Sequence, residues 1–268
     1  MKVCFIYSPE TNERFLEIIR KMTPDRSGKW KDMEATINLD EADWFVVIDD
    51  TPLNLPEERT LYICAHPYIK GYSGYKDQSK HKHKLDLRDT FGFGEWWLNY
   101  DYDYLTNLKK PEKTKETCFI LSNAEGDYGR TQRKLFAKHL EQQGINVYGR
   151  IKGVGKGELG INDKNNYWFG KEEVLRQHKY SIEIDIGHTL NYFSERVFDS
   201  LLMWCKPLYW GSTNVEQYLP KDSFQYIDIY ADRLPELQPI NYLAIKEARD
   251  LLLNKYQLWP RVYNFICG

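Results

Sequence analysis

The chain holds 268 residues, 42% hydrophobic and 28% charged, with a formal net charge of −2 at pH 7. That length suits one large domain or two small ones with a sizeable core, and the charge argues against a protein working mainly through phosphate-backbone contacts, so nucleic acid is not the expected partner. The five cysteines are odd in number, far apart and without a CxxC pair, which leaves no basis for a zinc ribbon, a redox motif or a disulfide framework and points to a reducing compartment.

The N-terminus reads straight into a strand, Val3 to Tyr7, too soon for a signal peptide. No apolar run reaches the ~18 residues of a membrane span, so a soluble, cytoplasmic protein without a transmembrane segment is expected. Glu13 to Met22 sets Phe15, Ile18, Ile19 and Met22 at helical spacing. Trp44 to Ile48 and Leu61 to Cys64 return to strand composition. Strand, helix, strand in that order predicts an α/β layer on a parallel sheet. The basic run Lys80 to Lys84 reads as a solvated loop, and its His81 and His83 make no convincing metal pair. Phe91 to Trp97 and Tyr100 to Tyr104 place aromatic faces beside acids, a mixture that sugar-binding walls use and that interdomain packing would use as well. Asp101 and Asp103 form a D-x-D pair, but it precedes a linker instead of following a strand, so no metal site is expected.

Residues 109–117 are polar and charged and carry Pro111, as a linker should. They would separate an N-terminal domain, 1–108, from a C-terminal domain, 118–250, with 251–268 as a tail. After the linker come a strand, Cys118 to Leu121, a helix, Arg130 to Gln143, a stop at Gly144 and another strand, Ile145 to Tyr148. Two such halves facing one another would leave a cleft. Gly153, Gly155, Gly157 and Gly160 fit neither G-x-G-x-x-G nor the P-loop and read as a mobile loop near it. The last helix, Leu243 to Tyr256, with Trp259 and Phe265 beyond it, is expected to pack back on the first domain.

The stretch between Lys179 and Phe224 carries the chemistry. Lys179 to Asp185 is a strand, Tyr192 to Leu201 a polar turn and a helix, and the stretch Lys206 to Ser212 a second strand. The spacing puts Tyr192, Glu195 and Arg196 on the first turn of that helix. A helix N-terminus at the carboxyl end of a parallel sheet is where anions bind. An arginine there can grip a diphosphate in bidentate fashion, and a glutamate beside it suits sugar hydroxyls.

These residues resemble the donor-binding motif of glycosyltransferase family 10, the α1,3/4-fucosyltransferases, most densely over residues 179–224. That motif runs K-[FY]-x-L-x-F-E-N, Y-[IV]-T-E-K, a helix, P-[IV]-Y-W-G-x-x-x-V and P-x-[SD]-F. Tyr192, Glu195, the run Pro207-Leu208-Tyr209-Trp210-Gly211, Val215 and Ser223-Phe224 answer to it. Upstream, Ser122-Asn123, Arg133, Phe136 and Leu140 are similar to the family's S-N…R…F…L run, whose arginine contacts the donor diphosphate. The resemblance implies a GT-B-like fold, two facing Rossmann-type α/β domains with a cleft between them. It also implies inverting transfer of fucose from GDP-fucose to a glycan hydroxyl, with no cofactor and no metal. Arg133 and Arg196 would neutralise the diphosphate, and Tyr192 and Glu195 would hold the fucose. Ser122, Asn123, Asp185, Gly211, Ser212 and Asn214 would complete the donor site.

Three departures bear on this. Arg196 replaces the family's lysine, and Ile184-Asp185-Ile186 replaces F-E-N. The family's base, a glutamate just after an N-terminal strand, has no counterpart in Leu61 to Pro67. His66 is the nearest proton acceptor there, and imidazole suits base catalysis near neutrality. Asp49, Asp50 and Glu95 are the alternative carboxylates. The residues are also compatible with another nucleotide sugar, with an unusual acceptor such as a modified nucleic-acid base, or with a sugar-nucleotide-binding protein of weakened activity.

Overall fold

The computed structural model describes residues 1–7, 12–67, 76–87, 90–91, 94–121, 128–149, 170–231 and 233–268. The first sheet contains β1 (Lys2–Tyr7), β2 (Lys29–Trp30), β3 (Met33–Thr36), β4 (Trp44–Ile48), β5 (Thr60–Ile63) and β6 (His83–Leu85), in the order β2-β3-β1-β4-β5-β6. Only β2 and β3 pair antiparallel. The second sheet contains β7 (Lys115–Leu121), β8 (Asn146–Gly149), β9 (His178–Ile184), β10 (Lys206–Trp210) and β11 (Gln225–Tyr226). Its order is β11-β10-β9-β7-β8 and all its pairings are parallel. This is the α/β, GT-B-like class read from the sequence.

The central strands form where continuous apolar runs can be buried on both faces, as parallel sheets require. β4 and β10 show it: Phe45 to Ile48 and every residue of β10 are buried. Helix α1 (Asn12–Arg20) covers one face of the first sheet through Phe15 and Ile19, and α3 (Tyr128–Gln142) covers the second through Phe136 and Leu140.

One apolar core runs through both halves, joining Val3 and Phe5 of β1 to Phe91, Phe193, Val197, Phe198 and Trp259. A buried polar cluster sits with it and is tied to the first half through Trp97. Lys171 on α4 (Lys171–Gln177) pairs with Asp199 on α5 (Glu195–Leu202) at 2.6 Å, and the same aspartate accepts the Trp97 N–H at 2.9 Å.

Several expectations change. The Lys80–Lys84 run is a solvated loop only in its first part: residues 80–82 lie outside the sheet with Lys80 and Lys82 exposed, whereas His83 and Lys84 enter β6, which pairs with β5, and His81 stacks on Tyr62 at 3.4 Å. Lysines on a sheet edge are ordinary protection against edge-to-edge pairing. Asp101 caps α2 (Tyr102–Asn107) by accepting the Tyr104 N–H at 2.9 Å, and Asp103 accepts the Asp25 N–H at 2.6 Å. Within residues 109–117, β7 already begins at Lys115, and the Lys113 ammonium donates to the carbonyls of Leu175 (2.8 Å) and Met203 (2.7 Å).

The C-terminal segment is two helices, α6 (Tyr242–Leu251), continued by a π-helical turn over Leu252–Tyr256, and α7 (Leu258–Cys267). Pro260 sits in the first turn of α7, where a missing N–H costs nothing. Trp259 of α7 packs on Phe5 with ring centroids 4.9 Å apart and donates to the Ile19 carbonyl at 2.9 Å. Among the described residues no helix is long and apolar enough to cross a membrane.

Candidate active site

The second half builds its site at the carboxyl ends of β9 and β10. Helix α5 starts at Glu195 because Ser194 is its N-cap: the backbone there is extended and the hydroxyl accepts the Arg196 N–H at 3.4 Å. The same hydroxyl donates to Asp185 Oδ1 at 2.5 Å. Asp185 Oδ2 accepts from Tyr209 Oη at 2.6 Å, and that oxygen in turn accepts the Ser212 N–H at 2.7 Å. Burial pushes the Asp185 carboxyl above its ordinary value, opposed by these hydrogen bonds from Ser194 and Tyr209. Gly211 closes the frame, since a Cβ there would lie 2.3 Å from Tyr209 Oη and 2.9 Å from Asp185 Cβ. Asp185 thus ties the end of β9 to the start of α5 and the end of β10.

A second buried network lies next to it. Asn214 Oδ1 accepts from Ser212 Oγ at 2.8 Å and from the Asn191 N–H at 2.9 Å, and its amide donates to Asn191 Oδ1 at 2.7 Å. Asn191 is in the left-handed region, φ +58, and its amide donates to the Leu87 carbonyl at 2.8 Å. Because Leu87 follows β6, this bond joins the carboxyl edge of the first sheet to the loop before α5. Tyr192 lies two residues ahead of the N-cap, not on the first turn of the helix as its spacing suggested.

The two arginines differ from these satisfied groups. Arg196 on α5 and Arg133 on α3 are both buried, 7% and 6% exposed. Arg196 donates to the Ile120 carbonyl at the end of β7 at 3.3 Å, with Glu195 Oε1 3.9 Å from its Nε. Arg133 Nε is buried with no hydrogen-bond partner. Burial first, and the Arg196 charge second, bring the Arg133 guanidinium down to about 10, against the pull of Asp185 and Glu195. Two cations thus share one desolvated space, one of them with an unmet donor. Gly129, at the start of α3, lets that helix approach: a Cβ there would lie 2.2 Å from the Ile186 carbonyl oxygen. Ser122, Asn123 and the glycines between 153 and 160 lie outside the described residues.

In the first half, His66 and Asp49 meet. Asp49, just past β4, has φ +62, and its Oδ1 accepts the Ala65 N–H at 2.7 Å. Its Oδ2 lies 2.5 Å from His66 Nδ1. The His66 side chain is 31% exposed and that of Asp49 10%. Asp50 accepts its neighbour's Thr51 N–H at 2.9 Å on the surface. Glu95 is different again: burial lifts its carboxyl to about 8, with Trp97 and Lys21 opposing and Glu195 and Asp199 adding to the rise. The pairing of Asp49 with His66 and the keystone place of Tyr209 escaped the sequence reading, although Asp49-Asp50 after a strand was a signal for the first.

The sequence model of glycosyltransferase family 10 (fucosyltransferase), C-terminal part, matches residues 110–266, more than half of the chain. A fucosyltransferase-like protein of Arabidopsis thaliana is 32% identical over 79 residues, 29% of this chain and 15% of that protein. The 4-galactosyl-N-acetylglucosaminide 3-alpha-L-fucosyltransferase 9 of Homo sapiens is 24% identical over 160 residues, 56% of this chain and 41% of that protein. The matched stretches therefore span less than half the length of either relative. A crystal structure of an alpha1,3-fucosyltransferase has 17% identity and a TM-score of 0.47, covering 96% of this chain and 82% of that one. Another, with GDP-fucose, has 14% identity and a TM-score of 0.43, covering 96% and 92%.

Proposed function

The chain belongs to glycosyltransferase family 10, and on that premise we propose that it moves fucose from GDP-fucose to a hydroxyl of a glycan acceptor, with inversion at the transferred carbon. The observation that carries this reading is the buried pair Arg133 and Arg196, one with an unpaired Nε, beside the N-terminus of α5. A diphosphate would meet both guanidiniums beside the positive end of the helix dipole, and would relieve the repulsion between the two cations.

As the bond from sugar carbon to diphosphate oxygen breaks, negative charge grows on the departing diphosphate. Preorganised cations in a dry site stabilise that charge more than water does. In this reading the neutralising charge comes from the two arginines and the helix rather than from a divalent cation. The acceptor oxygen forms its bond to the same carbon from the opposite face, and its proton passes to His66. Glu195, beside Arg196, and Tyr192 hold the sugar hydroxyls. Glu95, held near 8, is mostly protonated at pH 7 and is a poor proton acceptor there. Asp185, Ser212 and Asn214 act in this scheme by fixing the frame, since their side-chain groups are engaged within the protein.

Titration with GDP-fucose, GDP-mannose, UDP-glucose and UDP-arabinose, following thermal stabilisation and donor hydrolysis together, tests the proposal. GDP-fucose is expected to stabilise most, and Arg133→Ala to abolish that effect. Stabilisation by a UDP-sugar alone would overturn the fucosyl assignment.

A further inference from the structure

We infer that Asp49 is the positioning residue of the general base, fixing His66 in the tautomer whose lone pair is on Nε2. The inference rests on the proposed transfer reaction and adds to it a residue whose job is the orientation and protonation pattern of the imidazole.

The argument begins with the backbone. Asp49 adopts φ +62, a region that non-glycine residues enter uncommonly and that accumulates where surrounding structure forces it. Here the surroundings do force it. The Asp49 N–H donates to the Ile63 carbonyl at 2.8 Å, and the Gln78 side-chain amide donates to the Asp49 carbonyl. Gln78 is itself buried, 1% exposed. The turn carries the carboxylate back across the end of β5, where Oδ1 takes the Ala65 N–H at 2.7 Å. With one oxygen fixed by the residue preceding His66, the other is aimed at the ring and reaches Nδ1 at 2.5 Å.

The chemistry then follows from what each group can do. A carboxylate accepts hydrogen bonds and does not donate them, so Nδ1 must supply the proton of this contact. In a neutral imidazole that leaves Nε2 as the basic nitrogen. When the acceptor oxygen bonds to the sugar carbon and the bond to diphosphate breaks, the hydroxyl proton goes to Nε2. Asp49 keeps its negative charge and balances the imidazolium that forms. The ring stands where this is useful. Cys64, two residues before it, donates its N–H to the Leu85 carbonyl at 3.0 Å, and Leu87 is bonded to Asn191 in the loop before α5. The dyad therefore lies on the edge of the first sheet that meets the donor half.

A strand-end cap would make the same contact and so fix the same tautomer, but turnover would not depend on it, and Asp49→Asn separates the two. Asparagine tolerates positive φ and keeps an oxygen for the Ala65 N–H, but it turns an NH2 group toward Nδ1 and drives the proton to Nε2. With histidine labelled in 15N and the ring neutral at alkaline pH, wild type is expected to carry its lone pair on Nε2 and Asp49→Asn on Nδ1. Turnover number is expected to fall about 100- to 10,000-fold, with the midpoint for GDP-fucose binding within about twofold of wild type. Asp49→Asn combined with His66→Gln should be no worse than His66→Gln alone. A wild-type spectrum with the lone pair on Nδ1 overturns the inference, and that measurement stands even where Asp49→Asn does not fold. A folded Asp49→Asn protein with turnover within twofold of wild type overturns it as well. Absence of transfer by wild type would instead count against the transfer reaction, because the tautomer is read without turnover.

Discussion

Replacing Arg133 with methionine should make the empty protein more stable while removing its affinity for the donor. Its guanidinium, ordinarily near 12.5, is brought to about 10 by burial first and by Arg196 second. At about 1.4 kcal/mol per pH unit, the folded protein disfavours the charged side chain by about 3 kcal/mol at pH 7. Because the folded value lies below the unfolded one, this penalty is constant at every pH below about 10 and fades only above it. Methionine retains an apolar stem of similar reach beside Phe136 and Ala137 and drops both the charge and the orphaned Nε. A net gain of about 1–3 kcal/mol is expected, which at about 2–4 °C per kcal/mol raises the melting temperature by several degrees. Melts of wild type and Arg133→Met, each with and without GDP in phosphate-free buffer, read both effects at once. Wild type should gain from GDP and the variant should not. A variant that melts lower and still responds to GDP would refute the argument, showing Arg133 to be a structural residue whose unpaired donor the fold simply tolerates.

Other perturbations address the frame and its buried charges. Gly211→Ala would bring a Cβ to 2.3 Å from Tyr209 Oη, so it should lower stability by about 1–3 kcal/mol in urea titration; an unchanged midpoint would mean that Asp185 and Tyr209 are not a rigid frame. Glu95 is raised from 4.5 to about 8, so its stabilising contribution is complete below pH 4.5 and is lost as pH rises to about 8, a change of up to about 5 kcal/mol. Glu95→Gln should remove that loss, gaining on wild type steadily between pH 5 and 8, whereas parallel stability curves would contradict the buried carboxyl. Lys171→Met strands Asp199, a carboxyl already lifted to about 6 by burial, and should cost about 3–5 kcal/mol in chemical denaturation. Adding Asp199→Asn should recover most of this, and no recovery would show that the pair is not an isolated strut.

The parts of the fold that could be read from sequence are those whose burial forces a pattern on adjacent residues. Trp44–Ile48 is a strand with the expected bounds, and Lys206–Trp210 a strand within the expected stretch, because both faces of a parallel sheet demand unbroken apolar side chains. His83–Leu85 gives no such signal, since an edge strand need bury only part of itself. The site divides the same way. Residues 179–224 carry their motif in consecutive positions, and there the types of residue were visible. Their partners were not, because a hydrogen bond such as Tyr209 to Asp185 spans 24 residues and follows from sheet register, Tyr209 sitting opposite Glu183 and Trp210 opposite Ile184. The Asp49–His66 contact spans 17 residues and needs β4 and β5 side by side, with Ile48 opposite Ile63. Each member was a candidate by itself, but a sequence without its register offers four separate proton acceptors, Asp49, Asp50, His66 and Glu95. Register converts them into one paired imidazole, one surface carboxylate and one carboxyl raised to about 8. Which of these acceptors are paired with one another is thus decided by which strands lie next to each other, a property of the sheet and not of any short motif.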